Sequence, residues 1–259
     1  SAWQEALSEK KDDCEVLIVP CTLSFSLTLE AETLIDDALS KEGRYIITDD
    51  EFSEAREVAT FARSALNLDS SVYIRFGTPM DVVGNPVDDS GRSLDPGGRR
   101  IDRRQYVTDR YGSVTVDSQR DMVYTQILSE RIANAYRRDN IALPTHVAAH
   151  AAWRMLCRMH PRLDDSQRAL LSPKERRIPR TELLASIDRL MQQIKSSREA
   201  GRICSDLPGN ASDLLQVALG KFGSYHRTRA LAARGGSIEV GSKLALYYGN
   251  RLEGYGFEA

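Results

Sequence analysis

Val16-Leu17-Ile18-Val19-Pro20-Cys21-Thr22-Leu23-Ser24-Phe25 is the stretch on which the reading of the fold turns. Glu15 to Val19 reads as a buried strand, because four consecutive apolar residues suit a strand covered on both faces. Pro20 has no N–H to give a ladder, so it closes the strand and hands the chain to a loop. In open α/β sheets ligands bind outside the carboxyl ends of the strands. Pro20, Ser24 and Phe25 are therefore expected in the wall of a binding site.

Outward from this stretch the chain alternates strand and helix patterns, which gives an α/β fold class. Leu27, Ala31, Leu34, Ile35, Ala38 and Leu39 follow helical spacing. Tyr45-Ile46-Ile47 suits a short strand, and Ser53 to Leu66 an amphipathic helix. Val72 to Phe76 is a second clear strand, rich in β-branched and aromatic residues and running into Gly77-Thr78-Pro79. Arg75, Gly77 and Pro79 then stand at a strand's carboxyl end, with Arg75 placed to meet a phosphate or an Asp of the next loop. Asn85 to Arg104 reads as a long loop with few core residues and no internal repeat. A helix is expected over Ser118 to Arg138, capped through Ser118 and Asp121. Further helices are expected from Thr145 to Met159, from Pro179 onward, over Ala211 to Phe222 and over Ser242 to Leu252. The composition shift at Leu143-Pro144 divides the chain into an α/β part, 1–143, and a helical part, 144–259.

At 259 residues the chain can bury a substantial core. Its 35 basic and 37 acidic residues give a net charge of −2, which argues against nucleic acid as a partner. Cys14, Cys21, Cys157 and Cys204 lack C-x-x-C spacing, a pattern of scattered thiols that suits a reducing, cytoplasmic setting. No window reaches the roughly 18 apolar residues of a membrane span. Any membrane contact is expected to be peripheral. The segment Lys174 to Arg202, with eight basic and four acidic residues around an amphipathic stripe, could lie against anionic head groups, and the same stripe is what an ordinary packed helix needs.

Three constellations invite chemistry. His160 and Asp165 fit His-x-x-x-x-Asp, in which His is a general base and Asp orients its ring. Asp164 and Asp165 also suit a helix cap, which is the expected role. His146 and His150 stand four apart on a helix, but Val147 replaces the Glu of His-Glu-x-x-His, so a structural pair is expected and no metal site. Asp81, Asp88, Asp89 and Asp95 do not fit an EF-hand loop and read as turn formers.

Several of these segments also resemble, in order, blocks of glycerol-3-phosphate acyltransferases. Ile18-Val19-Pro20, Ser24-Phe25 and Leu29-Glu30 resemble the family's last Val-Pro block. Ile74-Arg75-Phe76-Gly77-Thr78-Pro79 resembles its strand ending in Phe-Gly-x-Pro. Leu143-Pro144-Thr145 opens a helix in the family's manner, and Tyr247-Tyr248-Gly249-Asn250 resembles Tyr-Tyr-Arg-Asn with Gly249 in place of arginine. Asp49-Asp50-Glu51-Phe52-Ser53 and the loop 85–104 resemble a bacterial branch. The resemblance implies the later portion of an acyltransferase-type sheet followed by a mostly helical extension. It also implies acyl transfer from acyl-CoA or acyl-carrier protein to glycerol 3-phosphate, with no further cofactor, at the cytoplasmic face of the inner membrane. The family's catalytic His-x-x-x-x-Asp and its Gly-x-Arg-Ser block lie upstream of the Val-Pro block. Only fourteen residues precede Glu15, so the chain is expected to be a carboxyl-terminal part without catalytic residues. Lysophospholipid or dihydroxyacetone-phosphate acyltransfer, and a noncatalytic partner-binding module, are the alternatives.

Overall fold

A computed structural model describes residues 16–39, 70–224, 226 and 228–258. The segment 1–13, Asp49 to Ser53 and the elements expected at Tyr45–Ile47 and Ser53–Leu66 lie outside the described residues. The architecture is mixed α/β, with sheets of two, two and three strands among the described residues. It divides into two compact units, one of residues 16–23 and 74–140, the other of 24–39, 70–73 and 141–258. Contact groups residues 24–39 and 70–73 with the later part of the chain.

The expected strand before Pro20 is not there. The strand β1 is Cys21–Phe25, after the proline, and it pairs with β2, Val72–Phe76. The pairs flanking the ribbon fix its sense. Ser26 N–H donates to the Ser71 carbonyl and Gly77 N–H to the Pro20 carbonyl, so the strands run antiparallel. Val16, Leu17 and Val19 are exposed, and only Ile18 forms a bridge, to Met80. An apolar run signals burial only where two covering layers exist, and among the described residues this run pairs at the single bridge from Ile18 to Met80.

In the first unit, the expected plain loop is a repeat. Asp81, Asp88, Asp95, Asp102 and Asp109 recur every seven residues. Around four of them the chain closes a tight antiparallel bridge, Met80 to Pro86, Val87 to Ser93, Leu94 to Arg100 and Thr108 to Val114. In each, Asp Oδ1 accepts the backbone N–H groups two and four residues on, as Val83 and Asn85 donate to Asp81 at 2.9 and 2.8 Å. Asp88, Asp95 and Asp109 repeat this pattern. Each turn needs a positive φ three residues after the Asp, which glycine adopts without strain. Gly84, Gly91, Gly98 and Gly112 supply it, with φ of 77 to 88°. The step at Asp102 has Gln105 there and turns instead into a 3₁₀ helix, Arg103–Tyr106. The segment has too few apolar residues to mark a helical or a strand period, so pattern reading missed the repeat.

The helix α2, Ser118–Asp139, closes this unit, numbering α1 as Ala31–Leu39. Its cap is Asp117, which accepts from Gln119 and Arg120 N–H, and not the expected Ser118. Val83, Tyr106 and Val107 form the small core, with Tyr124 and Ile127 of α2 packed on it.

The second unit is built on α3, Pro144–Met159. Its Val147, Ala148, Ala149, Ala151 and Ala152 are fully buried, and so many small residues let neighbouring helices approach closely. Those neighbours are α5 (Arg180–Glu199), α6 (Ala211–Phe222) and α7 (Ser242–Gly249), with the short α4 at Asp165–Ala169. A parallel pair, β3 (Ile141–Ala142) with β5 (Cys204–Ser205), opens the unit. An antiparallel sheet of β4 (Arg177–Pro179), β7 (Ser237–Val240) and β6 (Leu231–Arg234) flanks it. The α3 amino end lacks the Thr145 cap expected from sequence. Leu143 is the N-cap, Pro144 opens the helix, and Thr145 is buried. On α5, Leu183, Ile187, Leu190 and Ile194 are fully buried, so the stripe offered to a membrane packs into the core instead.

Candidate functional site

Four of the six candidate residues fall in the first unit, three of them around a buried carboxylate. Pro20 is buried and its carbonyl accepts the Gly77 N–H at 2.7 Å. Asp139, at the end of α2, is 4% exposed. Arg138 grips it with two hydrogen bonds of 3.1 Å, and Arg75 lies 3.8 Å away. A Cβ at position 77 would sit 2.6 Å from Asp139 Oδ2 and 3.4 Å from the Pro20 Cβ, so glycine is required for this close approach. Pro79 is exposed beside Met80, whose backbone pairs with Ile18. Arg75 is thus paired with Asp139 rather than with an Asp of the following loop. Half its guanidinium remains exposed toward solvent.

Ser24 and Phe25 belong to the second unit and act there as pins. Ser24 Oγ accepts the Ile141 N–H at 3.4 Å, and the Phe25 carbonyl lies 2.9 Å from His146 Nε2. The second unit also holds a buried chain of polar groups. Thr28 N–H donates to the Tyr248 hydroxyl at 3.1 Å, which lies 2.7 Å from His226 Nε2. This gives Tyr248 of the Tyr-Tyr-Gly-Asn block a structural duty. At Gly249, where the resembling family carries arginine, a Cβ would lie 3.1 Å from the His150 Cα. The α3–α7 crossing leaves no room for a long side chain there.

The tempting constellations come apart. His160 is engaged by the Glu175 carbonyl at 3.1 Å and Asp165 by Arg168 at 2.8 Å. Asp164 makes the expected cap, a reciprocal box with Gln167. His146 and His150 turn to different carbonyls, those of Phe25 and Gly249. Among the described residues no group of three His, Cys, Asp or Glu is placed to hold a metal ion, and no helix is long and apolar enough to cross a membrane.

Burial holds the His146 imidazole down to about 4, and lowers His150 and His226 as well. An unfolded His146 takes up its proton near its ordinary value of 6.5. Between the two values the unfolded chain binds the extra proton, so stability is complete above pH 6.5 and is lost as pH falls toward 4. The loss attributable to His146 is at most about 1.4 kcal/mol per pH unit. Denaturant midpoints at pH 7 and pH 5 check this, and His146→Gln is expected to flatten the dependence.

One feature of the second unit was announced by no motif. A cavity of about 770 Å³ is lined by Arg154, Cys157 and Arg158 of α3, Arg168 of α4, and Arg189 and Gln193 of α5. The basic richness of 174–202 was a hint, but its convergence with arginines thirty residues earlier is a product of helix packing. No protein-family model, curated protein or solved structure matches this chain.

Proposed function

We propose that this chain is the carboxyl-terminal part of a glycerolipid acyltransferase that transfers a fatty acyl group from acyl-CoA or acyl-carrier protein to glycerol 3-phosphate. The order of its matching blocks supports this, since all are blocks the family carries downstream of its catalytic histidine. The observation that carries the reading is the β1–β2 ribbon. Val72, Ile74 and Phe76 alternate along β2 and are 53, 57 and 74% exposed, and Leu23 of β1 is 45% exposed. A two-stranded ribbon is marginal alone, and an apolar row on it calls for a covering layer. Strands and helices of a catalytic portion would provide that layer and extend the sheet. The exposed Arg75 and Pro79 would then border the acceptor's phosphate.

The test is acyl transfer from labelled acyl-CoA to glycerol 3-phosphate. The chain alone is expected to give no turnover. Joined to the polypeptide encoded immediately upstream, it is expected to be active, with Phe76→Glu lowering that activity at least about tenfold through loss of roughly 1.5 kcal/mol or more of apolar burial. Turnover by the chain alone that is abolished by His160→Ala would overturn the reading. Dihydroxyacetone phosphate and lysophospholipid acceptors, run in parallel, separate the related acyltransferases.

A further inference from the structure

The arginine-lined cavity lies within the second unit, and its lining includes none of the residues proposed to border the acceptor. Four guanidinium groups line it, against one carboxylate, Glu258. Two of the four are already committed: Arg168 to Asp165 at 2.8 Å, and Arg154 to Glu253 at 3.9 Å. Arg158 and Arg189 make no ion pair and no side-chain hydrogen bond among the described residues. Arg158 complements the carboxyl end of α3 by its place in the last turn. That leaves its forked donors open. Arg189 projects from the facing helix α5 and also lines the two adjoining hollows, one of them with Arg158 and Glu182.

Like charges converging on a concavity repel one another, and a bound anion relieves that repulsion. The rim is built: Gln193 donates to the Glu258 carbonyl at 2.6 Å and accepts the Glu258 N–H at 2.9 Å, fastening the chain's last turn over one end. The thiol of Cys157 in the lining is pushed up by burial, so it is mostly protonated at neutral pH and adds no fixed negative charge to the cavity.

We propose that this cavity binds a soluble small molecule bearing two phosphate groups, held by the guanidinium forks of Arg158 and Arg189. Guanidinium matches phosphate oxygens in a bidentate geometry, and two helices offering one free fork each suit a diphosphate. The volume of about 770 Å³ is that of a small-molecule site.

Calorimetric titration of the full chain with inorganic pyrophosphate and with ADP tests this. Saturable binding is expected, weakened about tenfold or more by Arg158→Gln or Arg189→Gln singly, as loss of a charged hydrogen bond dictates. Arg162→Gln, exposed and outside the lining, is expected to bind as the parent does. Both diphosphates are also expected to slow maleimide labelling of Cys157 while leaving Cys21 and Cys204 unaffected. Absence of binding at millimolar ligand, binding indifferent to the double substitution, or association only with vesicles of anionic phospholipid would each overturn the proposal.

Discussion

Gly241→Ala is expected to destabilise the second unit by about 3 kcal/mol, as overpacking against an unyielding neighbour does. Gly241 links β7 to α7, and its N–H donates to the Ala230 carbonyl at 2.8 Å. An added Cβ would fall 2.1 Å from the Arg229 carbonyl oxygen, 3.0 Å from its carbon and 3.3 Å from the Ala230 Cα. All three are backbone atoms, so no side-chain rotation relieves the clash. Either β6 withdraws from β7 or α7 shifts on α3. Thermal unfolding should show a midpoint lower by roughly 6–12 °C for a unit of this size. Gly236→Ala, in the β6–β7 turn with open space around it, is the comparison and should change little. Equal midpoints for the two variants would refute the close approach.

Asp81→Ala carries the second large effect, about 3 kcal/mol, in the first unit. Asp81 is fully buried. Its Oδ1 accepts from Val83 and Asn85 N–H, and its Oδ2 accepts the Tyr106 hydroxyl at 2.9 Å. Tyr106 in turn accepts from Asn85 Nδ2 at 2.6 Å, and Asn85 Oδ1 accepts from Arg131 of α2 at 2.5 Å. Removing the carboxylate leaves three buried donors without acceptors and unties the first turn of the repeat from α2. Burial, reinforced by the Asp81 contact, pushes the Tyr106 hydroxyl up to about 12. Asp88→Ala removes the same turn bonds at a partly exposed step and should cost much less, since water can replace them. Hydrogen exchange at the amides of residues 83 and 85 distinguishes the two. Protection unchanged in Asp81→Ala would show that the carboxylate does not hold this turn.

Where burial depends on local period, the sequence was a sufficient guide. The helices at 144–159, 180–199 and 211–222 lie where their apolar spacing puts them, and β2 spans the five residues read as a strand. The capping role of Asp164 was legible for the same reason: a side chain bonds a backbone three residues away. The seven-residue recurrence of Asp was visible as letters, but no apolar stripe accompanies it, so only the turn geometry gave it meaning. The candidate site was legible in parts. Pro20, Arg75 and Gly77 converge, but on Asp139, some sixty residues further along, and no local pattern names that carboxylate. Ser24 and Phe25 turn instead to Ile141 and His146.

The chain's own letters determined its mixed α/β composition, its helix positions and its turn-forming glycines, because these follow from interactions within a few residues. Tertiary structure alone decided that the strand begins beyond Pro20, that the α5 stripe is consumed by the core, and that four arginines from three helices line one cavity. Those outcomes depend on which distant surfaces cover one another, and side-chain period along the chain carries no record of that choice.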